Sequence, residues 1–303
     1  MNEVCNSQRK EAFAKAKAMV INMRKIWKGY VLIAPLMLGC LIFFAIPFVM
    51  VVRYSLLEHG GLVNRFVGLE NYKAVAGNPT FQMAFGNTMK FLAAGLPLIM
   101  VLAYILALLM QKQAEKHKLL KSVFLMPYIM PVVGTVMLVN VVFGETGLWN
   151  GLYNALGLPI EDWLGGPAAF WVVVVLYLWK NTGYSVILLL AGLVTIPEDQ
   201  YESADLDGAS AWQKFIYITT PQMWYSVFFA LVFSVINAFK CFREIFLVGG
   251  QWPNLDIYML QHFLNNSFET LNYANLSVAS VLLFLVVTIF FTGFYAFVKR
   301  KEV

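Results

Sequence analysis

Residues 197–221, PEDQYESADLDGASAWQKFIYITTP, separate two apolar segments that are each long enough to cross a membrane. This stretch carries a cluster of carboxylates: Glu198, Asp199, Glu202, Asp205 and Asp207. Ionised carboxylates are costly in the hydrocarbon of a bilayer. We therefore expect residues 197–221 to form a solvated loop between two membrane spans.

The composition is that of a membrane protein. Of the 303 residues, 60% are hydrophobic and 13% are charged, and the mean hydropathy is +0.67; soluble domains are about 25% charged. A span needs about 20 apolar residues, and six segments qualify: about 30–54, 86–110, 122–143, 169–194, 222–247 and 275–298. Each is predicted to be a helix, because backbone groups in lipid need partners within their own segment. The sequence thus predicts an all-α integral membrane protein with a basic arm (1–29), a six-helix domain (30–298) and a tail (299–303).

Lysine and arginine are distributed unequally between the connections. Fifteen of them lie in the amino-terminal arm, the second loop, the fourth loop and the tail, whereas the alternate side carries only Arg65 and Lys73. Short loops rich in lysine and arginine face the cytoplasm. We therefore expect both termini and residues 197–221 to be cytoplasmic (N-in, C-in). The net charge of +5 then reflects topology, and no nucleic-acid partner is expected.

Local chemistry within residues 197–221 predicts two short helices that meet at an angle, which we call the elbow. Pro197 suits the first position of a helix. Gly208 follows Asp207 in a turn pair and can adopt a positive φ. Ser210 can cap a second helix, and Pro221 limits the continuation of that helix toward the membrane. An ordinary surface loop is the alternative interpretation.

The order of residues in the elbow carries a family resemblance. Glu202-Ser203-Ala204 and Asp207-Gly208-Ala209 are followed by Phe215, Ile218 and Pro221 at fixed offsets. This order resembles the loop that importer permeases of the ATP-binding-cassette class insert into their ATPase, in which the first triplet is Glu-Ala-Ala. The resemblance implies that this is a coupling loop, with Glu202, Ala204, Asp207, Gly208 and Ala209 providing docking and the geometry of the elbow.

Three weaker motifs extend the resemblance to most of residues 30–298. Residues 66–72, FVGLENY, are similar to the Phe-x-Gly-Leu-x-Asn-Tyr of carbohydrate permeases of the maltose-type group. Ala191-Gly192-Leu193 with Ile196-Pro197, and residues 239–242 leading to Gly249-Gly250, are also similar to theirs. In that group a proline usually follows the glycine pair directly, whereas Gln251-Trp252 intervene here. This departure leaves the transported sugar open.

The resemblance implies a set of partners and a location. They are a homologous permease subunit, two nucleotide-binding ATPase subunits, an extracytoplasmic solute-binding protein and a carbohydrate substrate, in the lipid bilayer of a bacterial or archaeal cell membrane. The sequence contains no Gly-x-x-x-x-Gly-Lys-Ser/Thr phosphate loop, so ATP is expected to bind to the ATPase subunits and no cofactor to this chain. The chain is expected not to be an enzyme.

Two polar stripes interrupt the fourth and fifth spans. They consist of Tyr177, Lys180, Asn181 and Tyr184 in the fourth span, and of Ser234, Asn237 and Cys241 in the fifth. Facing each other, the stripes would form a polar chamber with aromatic walls, which suits a sugar. The family's sugar site uses these helices, and these seven residues are therefore the candidate substrate site. The alternative is that they join helices together, or that the Lys180 amine pairs with a carboxylate or carbonyl.

The remaining charged residues, cysteines and histidines have interpretations outside the substrate site. Lys240 and Glu244 are four residues apart and are predicted to pair on one helix face. The three cysteines and three histidines are too scattered to predict a disulfide framework or a metal site. Residues 8–28 can form an interfacial helix or a solvated arm.

Three rival functions remain open. They are a permease for glycerol phosphate or another polar solute, an autonomous secondary carrier, and a membrane-embedded enzyme. A carrier predicts inverted repeats and carboxylates at the membrane midplane, and an enzyme predicts a catalytic constellation. Neither is evident in the sequence.

Overall fold

The computed structural model describes residue 27 and residues 29–58, 65–111 and 118–300. Residues 8–28, for which the sequence left an interfacial helix or a solvated arm open, lie outside the described residues, apart from residue 27. The chain forms two compact units, Met1–Tyr54 and Ser55–Val303.

Six candidate membrane spans are present among the described residues, which confirms the predicted number. They are α1 (Gly29–Ser55), α3 (Pro79–Gln111), α5 with α6 (Val132–Phe143 and Leu148–Ala155), α7 (Ala169–Val194), α10 with α11 (Trp224–Lys240 and Phe242–Gly249) and α13 (Tyr273–Arg300). α1 contains a π-helical turn at Leu41–Ala45. An even number of spans places the start of the first and the end of the last on the same side of the membrane.

Short elements connect the spans. They are a two-stranded antiparallel pair, β1 (Leu57–Glu58) and β2 (Arg65–Phe66), followed by α2 (Glu70–Ala76), α4 (Lys118–Ile129), α8 (Glu198–Leu206), α9 (Ala211–Lys214) and α12 (Leu260–Glu269). Leu57 is paired with Phe66, and Glu58 with Arg65.

The third span differs from the prediction. A single helix was expected over about 122–143, but the chain breaks at Met130-Pro131, between α4 and α5. Pro131 has no backbone N–H, and its ring disfavours a helical conformation at the preceding residue. The candidate span therefore starts at Val132 and extends to Ala155 through α5 and α6.

α3 and α7 form the centre of the second unit. Tyr177 of α7 is fully buried, and its ring contacts that of Phe91 of α3 edge-on, with centroids 5.3 Å apart. Gly95 leaves room for this ring, because a Cβ at Gly95 would lie 3.3 Å from it. On another side of α7, a Cβ at Gly183 would overlap the backbone carbonyl of Phe124 in α4. Small residues let membrane helices approach this closely.

The FVGLENY motif holds the first connection together. Gly68 adopts a φ of +60°. The Asn71 side chain donates hydrogen bonds to the carbonyl oxygens of Ser55 and Leu57, at 3.0 and 2.9 Å. The Tyr72 hydroxyl lies 2.8 Å from that of Ser55. The motif thus ties α2 to the end of the first span.

His262 lies at the start of α12, outside the six spans. Its Nδ1 accepts a hydrogen bond from the Met259 backbone N–H at 3.1 Å, and its ring packs edge-on against Phe242. Burial lowers the pKa of His262 to about 4. The imidazole is therefore neutral at pH 7 and serves as a cap of α12.

Candidate functional site

Two helix interruptions border one cavity of the second unit. One is the break at Met130-Pro131, and the other is Cys241, which separates α10 from α11. Between them and α7 lies a polar cavity of about 250 Å³. It is lined by Tyr128, Met130, Pro131, Val132, Lys180, Asn181, Asn237, Lys240, Cys241, Arg243 and Glu244.

Four of the seven predicted site residues line the polar cavity: Lys180, Asn181, Asn237 and Cys241. Asn181 donates its Nδ2 to the carbonyl of Tyr177 at 2.8 Å, within its own helix. This bond fixes the side chain and leaves its oxygen, Oδ1, for a ligand. The fourth and fifth spans thus meet at a polar cavity.

Tyr177 and Ser234 do not line the cavity. The Tyr177 hydroxyl donates a hydrogen bond to the Ser234 carbonyl at 2.8 Å, and the Ser234 hydroxyl lies 3.3 Å from that of Ser185. Both residues are almost completely buried. In this conformation they join α7 to α10, which is the packing role that the sequence left open.

Tyr184 also lies outside the cavity lining. Its ring stacks on Tyr128, with centroids 4.6 Å apart, and contacts Phe233 edge-on. Tyr128 lines the cavity, so the Tyr184 ring packs against a cavity-lining ring without lining the cavity itself.

The buried ion pair of this region is Lys180–Glu244, and the predicted Lys240–Glu244 pair is wrong. The Lys180 Nζ donates a hydrogen bond to Glu244 Oε1, and the two side chains are 14% and 5% exposed. The helix is interrupted at Cys241, so Lys240 and Glu244 do not share a continuous helix face. Lys240 remains exposed while Glu244 is buried.

This ion pair lies near the middle of a candidate membrane span. Lys180 is about 16 Å along α7 from Ala169, at 1.5 Å per residue. A lone cation at the centre of a span costs about 2.5–3.5 kcal/mol on insertion scales. Glu244 compensates the charge of Lys180. A carboxylate partner for this amine was one of the alternatives that the sequence analysis left open.

Sequence reasoning missed the other seven lining residues. Lys240 and Glu244 were assigned to an ion pair, and Tyr128 and Arg243 were not assigned to the site. Pro127 and Pro131 flank Tyr128 and are a local signal that this segment is irregular. Its approach to α7 depends on tertiary packing, which no local pattern contains.

The elbow has the predicted shape. α8 and α9 are separated by Gly208, whose φ is +76°. The Ser210 hydroxyl accepts a hydrogen bond from the Gln213 N–H, and the Gln213 side chain accepts one from the Ser210 N–H, which completes a capping box. Pro197 is the N-cap of α8 rather than its first helical residue.

The elbow continues into the membrane almost without interruption, contrary to the stop expected at Pro221. A π-helical turn at Phe215–Thr219 and a further turn at Thr220–Gln222 lead to α10 at Trp224. Pro221 is in the first turn of the last short segment, where its missing N–H costs little. The elbow is therefore joined to the fifth span by nearly continuous helical backbone.

Side-chain contacts hold the elbow against the spans. The Tyr201 hydroxyl lies 2.8 Å from that of Thr219, and Gln222 donates to Gln200 at 2.6 Å. The ring of Phe215 packs edge-on against Tyr104 of α3, with centroids 5.8 Å apart. Lys214 pairs with Asp205 at 2.5 Å across the bend. These contacts attach the elbow to α3 and to the segment that precedes α10.

The predicted coupling residues are grouped at the tip of the elbow. Glu202, Asp207 and Gly208 are exposed, whereas Ala204 and Ala209 are half-buried, and the Ala209 N–H donates to the Ala204 carbonyl at 2.9 Å. Two apolar side chains that the sequence analysis did not single out also point outward here: Leu206 is 91% exposed and Trp212 is 67% exposed.

The side of the membrane on which the elbow lies can be tested by labelling. In a background without the three native cysteines, Leu158→Cys should react with an impermeant thiol reagent added to intact cells, since Leu158 is exposed in the connection before α7. Ser210→Cys should react only after the cells are opened. Labelling of Ser210→Cys from outside would contradict both the orientation and a coupling role.

Comparison with known proteins identifies the family. Residues 95–302 match the model for "Binding-protein-dependent transport system inner membrane component". The chain belongs to this family. It is therefore a multi-pass membrane component of a transport system, and the family is not a class of enzymes.

Two relatives of this chain align with nearly its whole length. It is 30% identical over 274 residues to the trehalose/maltose transport system permease protein MalF of Thermococcus litoralis, covering 89% of this chain and 93% of that protein. It is 27% identical over 285 residues to the lactose transport system permease protein LacF of Rhizobium radiobacter, covering 90% and 95%.

A solved structure has the same fold as this family member. A chain of a bacterial ABC transporter involved in the import of the acidic polysaccharide alginate superposes with a TM-score of 0.78, at 19% identity, over 92% of this chain and 97% of that one. The predicted resemblance to importer permeases is confirmed.

Proposed function

We propose that this chain is the membrane-spanning permease subunit of an ATP-driven carbohydrate importer. The observation that carries the proposal is the polar cavity, since four of the seven residues proposed for the substrate site line it. Hydrogen-bonding side chains beside the Tyr128 ring suit a sugar, which has hydroxyl groups and apolar C–H faces. The named substrates of the relatives, trehalose, maltose and lactose, support the carbohydrate class.

The proposed complex also contains a homologous permease, two ATPase subunits and an extracytoplasmic solute-binding protein. An alginate transporter of the same fold has been crystallised with a periplasmic protein that holds an alginate pentasaccharide, which supports the last of these. ATP is proposed to bind to the ATPase subunits.

Transport is proposed to proceed by alternating access. When the ATPases close, they displace the elbow, and the elbow acts on the spans through Phe215 and through its helical connection to α10. The cavity then changes the side of the membrane to which it is open. The chain supplies the pathway and the coupling, and the proposed mechanism includes no covalent step.

Removing a cavity amide should weaken transport without weakening assembly. We expect Asn181→Ala and Asn237→Ala each to lower apparent affinity about five- to 150-fold, because an unpaired substrate hydroxyl costs about 1–3 kcal/mol. Uptake of labelled sugar and the amount of purified complex are measured in parallel. Thr182→Val is the matched control, since Thr182 donates to the Leu178 carbonyl in the same helix and is outside the cavity lining.

Two results would count against the site. If both asparagine variants kept normal uptake but assembled poorly, these residues would be assigned to helix packing. If Thr182→Val lost as much uptake as Asn181→Ala, the loss would reflect a general disturbance of α7 and not the removal of a substrate contact. Tyr184→Phe should be milder than Tyr184→Ala, because its ring stacks on Tyr128.

A further inference from the structure

The polar cavity has an unbalanced charge. Three cationic side chains line it, those of Lys180, Lys240 and Arg243, together with one carboxylate, that of Glu244. A second cavity of this unit, beside the first half of α3, contains one cation, Lys90, and one carboxylate, Asp256. The polar cavity thus carries an excess of positive charge that this second cavity lacks.

Glu244 neutralises only one of the three cations. Its Oε1 accepts the hydrogen bond from Lys180, and its Oε2 is buried without a hydrogen-bond partner in the described part of the chain. Within residues 29–58, 65–111 and 118–300, the ion pairs are Lys180–Glu244 and Lys214–Asp205. Lys240 and Arg243 thus have no carboxylate of the described chain within 4 Å.

Two uncompensated cations in a membrane span need an explanation. Both side chains are exposed on the candidate span Trp224–Gly249. Charged residues within a membrane span are costly, and they face a partner, a cavity or a pathway for ions or substrates. Arg243 carries a planar guanidinium that can bind a carboxylate or phosphate through two parallel hydrogen bonds, and Lys240 adds a compact charge. Asn181 and Asn237 border the same space and can bind hydroxyl groups.

We infer that the substrate of this cavity is an acidic saccharide, whose anionic group is bound by Arg243 and Lys240 while Asn181 and Asn237 bind its hydroxyls. The inference rests on the proposed carbohydrate permease function and narrows its substrate class. The anionic group can be the carboxylate of a uronic acid or a phosphate ester, since a guanidinium recognises both.

The test compares acidic sugars with neutral ones of the same size. The probes are uronate oligosaccharides of two to five rings, the neutral oligosaccharides made from them by reduction of the carboxyl groups, and a hexose phosphate. Uptake is measured in the native host with the complete transporter. We expect uptake of an acidic probe to exceed that of its neutral counterpart at least about tenfold.

Substitutions of cavity residues test whether the cavity causes the preference for acidic probes. Arg243→Gln and Lys240→Gln should each raise the half-saturating concentration of the acidic probe about tenfold or more, and the double variant should reduce the preference for it further. Lys73→Gln is the control, because it removes one positive charge from an exposed site on α2. Its uptake should equal that of the wild type.

The outcomes separate this inference from the proposed function. Uptake of the neutral probes alone, or equal losses for acidic and neutral probes in Arg243→Gln, would overturn the acidic class while supporting a carbohydrate permease. Uptake of none of the probes would also overturn the acidic class, and uptake of trehalose, maltose or lactose by the same transporter would then test the proposed function separately. Preference for the hexose phosphate over the uronates would support an anionic substrate and assign the group as a phosphate.

Discussion

Lys180→Met should lower the free energy of unfolding by about 3–5 kcal/mol, because it leaves Glu244 as an uncompensated charge in a buried position. Glu244→Leu should do the same by leaving Lys180 unpaired. The double variant Lys180→Met/Glu244→Leu should recover most of the loss, since apolar side chains of similar volume can replace a buried ion pair at little cost. Denaturant-induced unfolding of the purified protein in detergent measures all three.

The chain provides a matched control for this double-mutant cycle. Lys214 and Asp205 pair at 2.5 Å, but the Asp205 side chain is 60% exposed. Solvent screens such a pair, and its loss in Lys214→Met should cost about 0–1 kcal/mol. If Lys180→Met cost no more than Lys214→Met, Glu244 would be solvated or paired elsewhere, and the structural role of the Lys180–Glu244 pair would be refuted.

Gly208→Val should abolish uptake while the protein still inserts and assembles. Gly208 has a φ of +76°, a conformation that a β-branched residue resists, and the strain is about 1–3 kcal/mol. A Cβ at this position meets no atom within 4 Å, so the effect arises from the backbone. A shifted backbone would change the angle between α8 and α9, on which docking of the elbow depends. Sugar uptake and the yield of the assembled complex are the measurements.

Gly157 is a control for backbone strain alone. Its φ is +70°, and a Cβ there also meets no atom within 4 Å, but it follows α6 and lies outside the elbow. Gly157→Val should therefore retain uptake, and Gly208→Asn should be milder than Gly208→Val because asparagine tolerates a positive φ. Wild-type uptake in the Gly208→Val variant would show that the elbow only connects two spans and that its shape is not needed for transport.

The sequence predicts a feature well where the cause is local. The six spans follow from apolar segments in lipid, and the elbow follows from Gly208 and the Ser210 cap. The break before Pro131 has an equally local cause, and the prediction missed it because the apolar run continues across the proline.

The candidate site was only partly predictable for a different reason. Helical spacing placed Tyr177, Lys180 and Asn181 on one stripe, but a stripe does not show which of its members faces a cavity. Tyr177 is instead buried against Phe91 and bonded to Ser234, 57 residues away. Lys180 and Asn181, close to it on the same helix, line the polar cavity.

The sequence by itself determined the six candidate spans and the elbow between the fourth and the fifth, because solvation, caps and turn residues act over a few positions. Only the tertiary structure decided that Glu244 pairs with Lys180, 64 residues away, instead of with its helical neighbour Lys240. An ion pair depends on the distance and burial of two groups in the packed protein, and spacing along the chain specifies neither once the helix is interrupted between them.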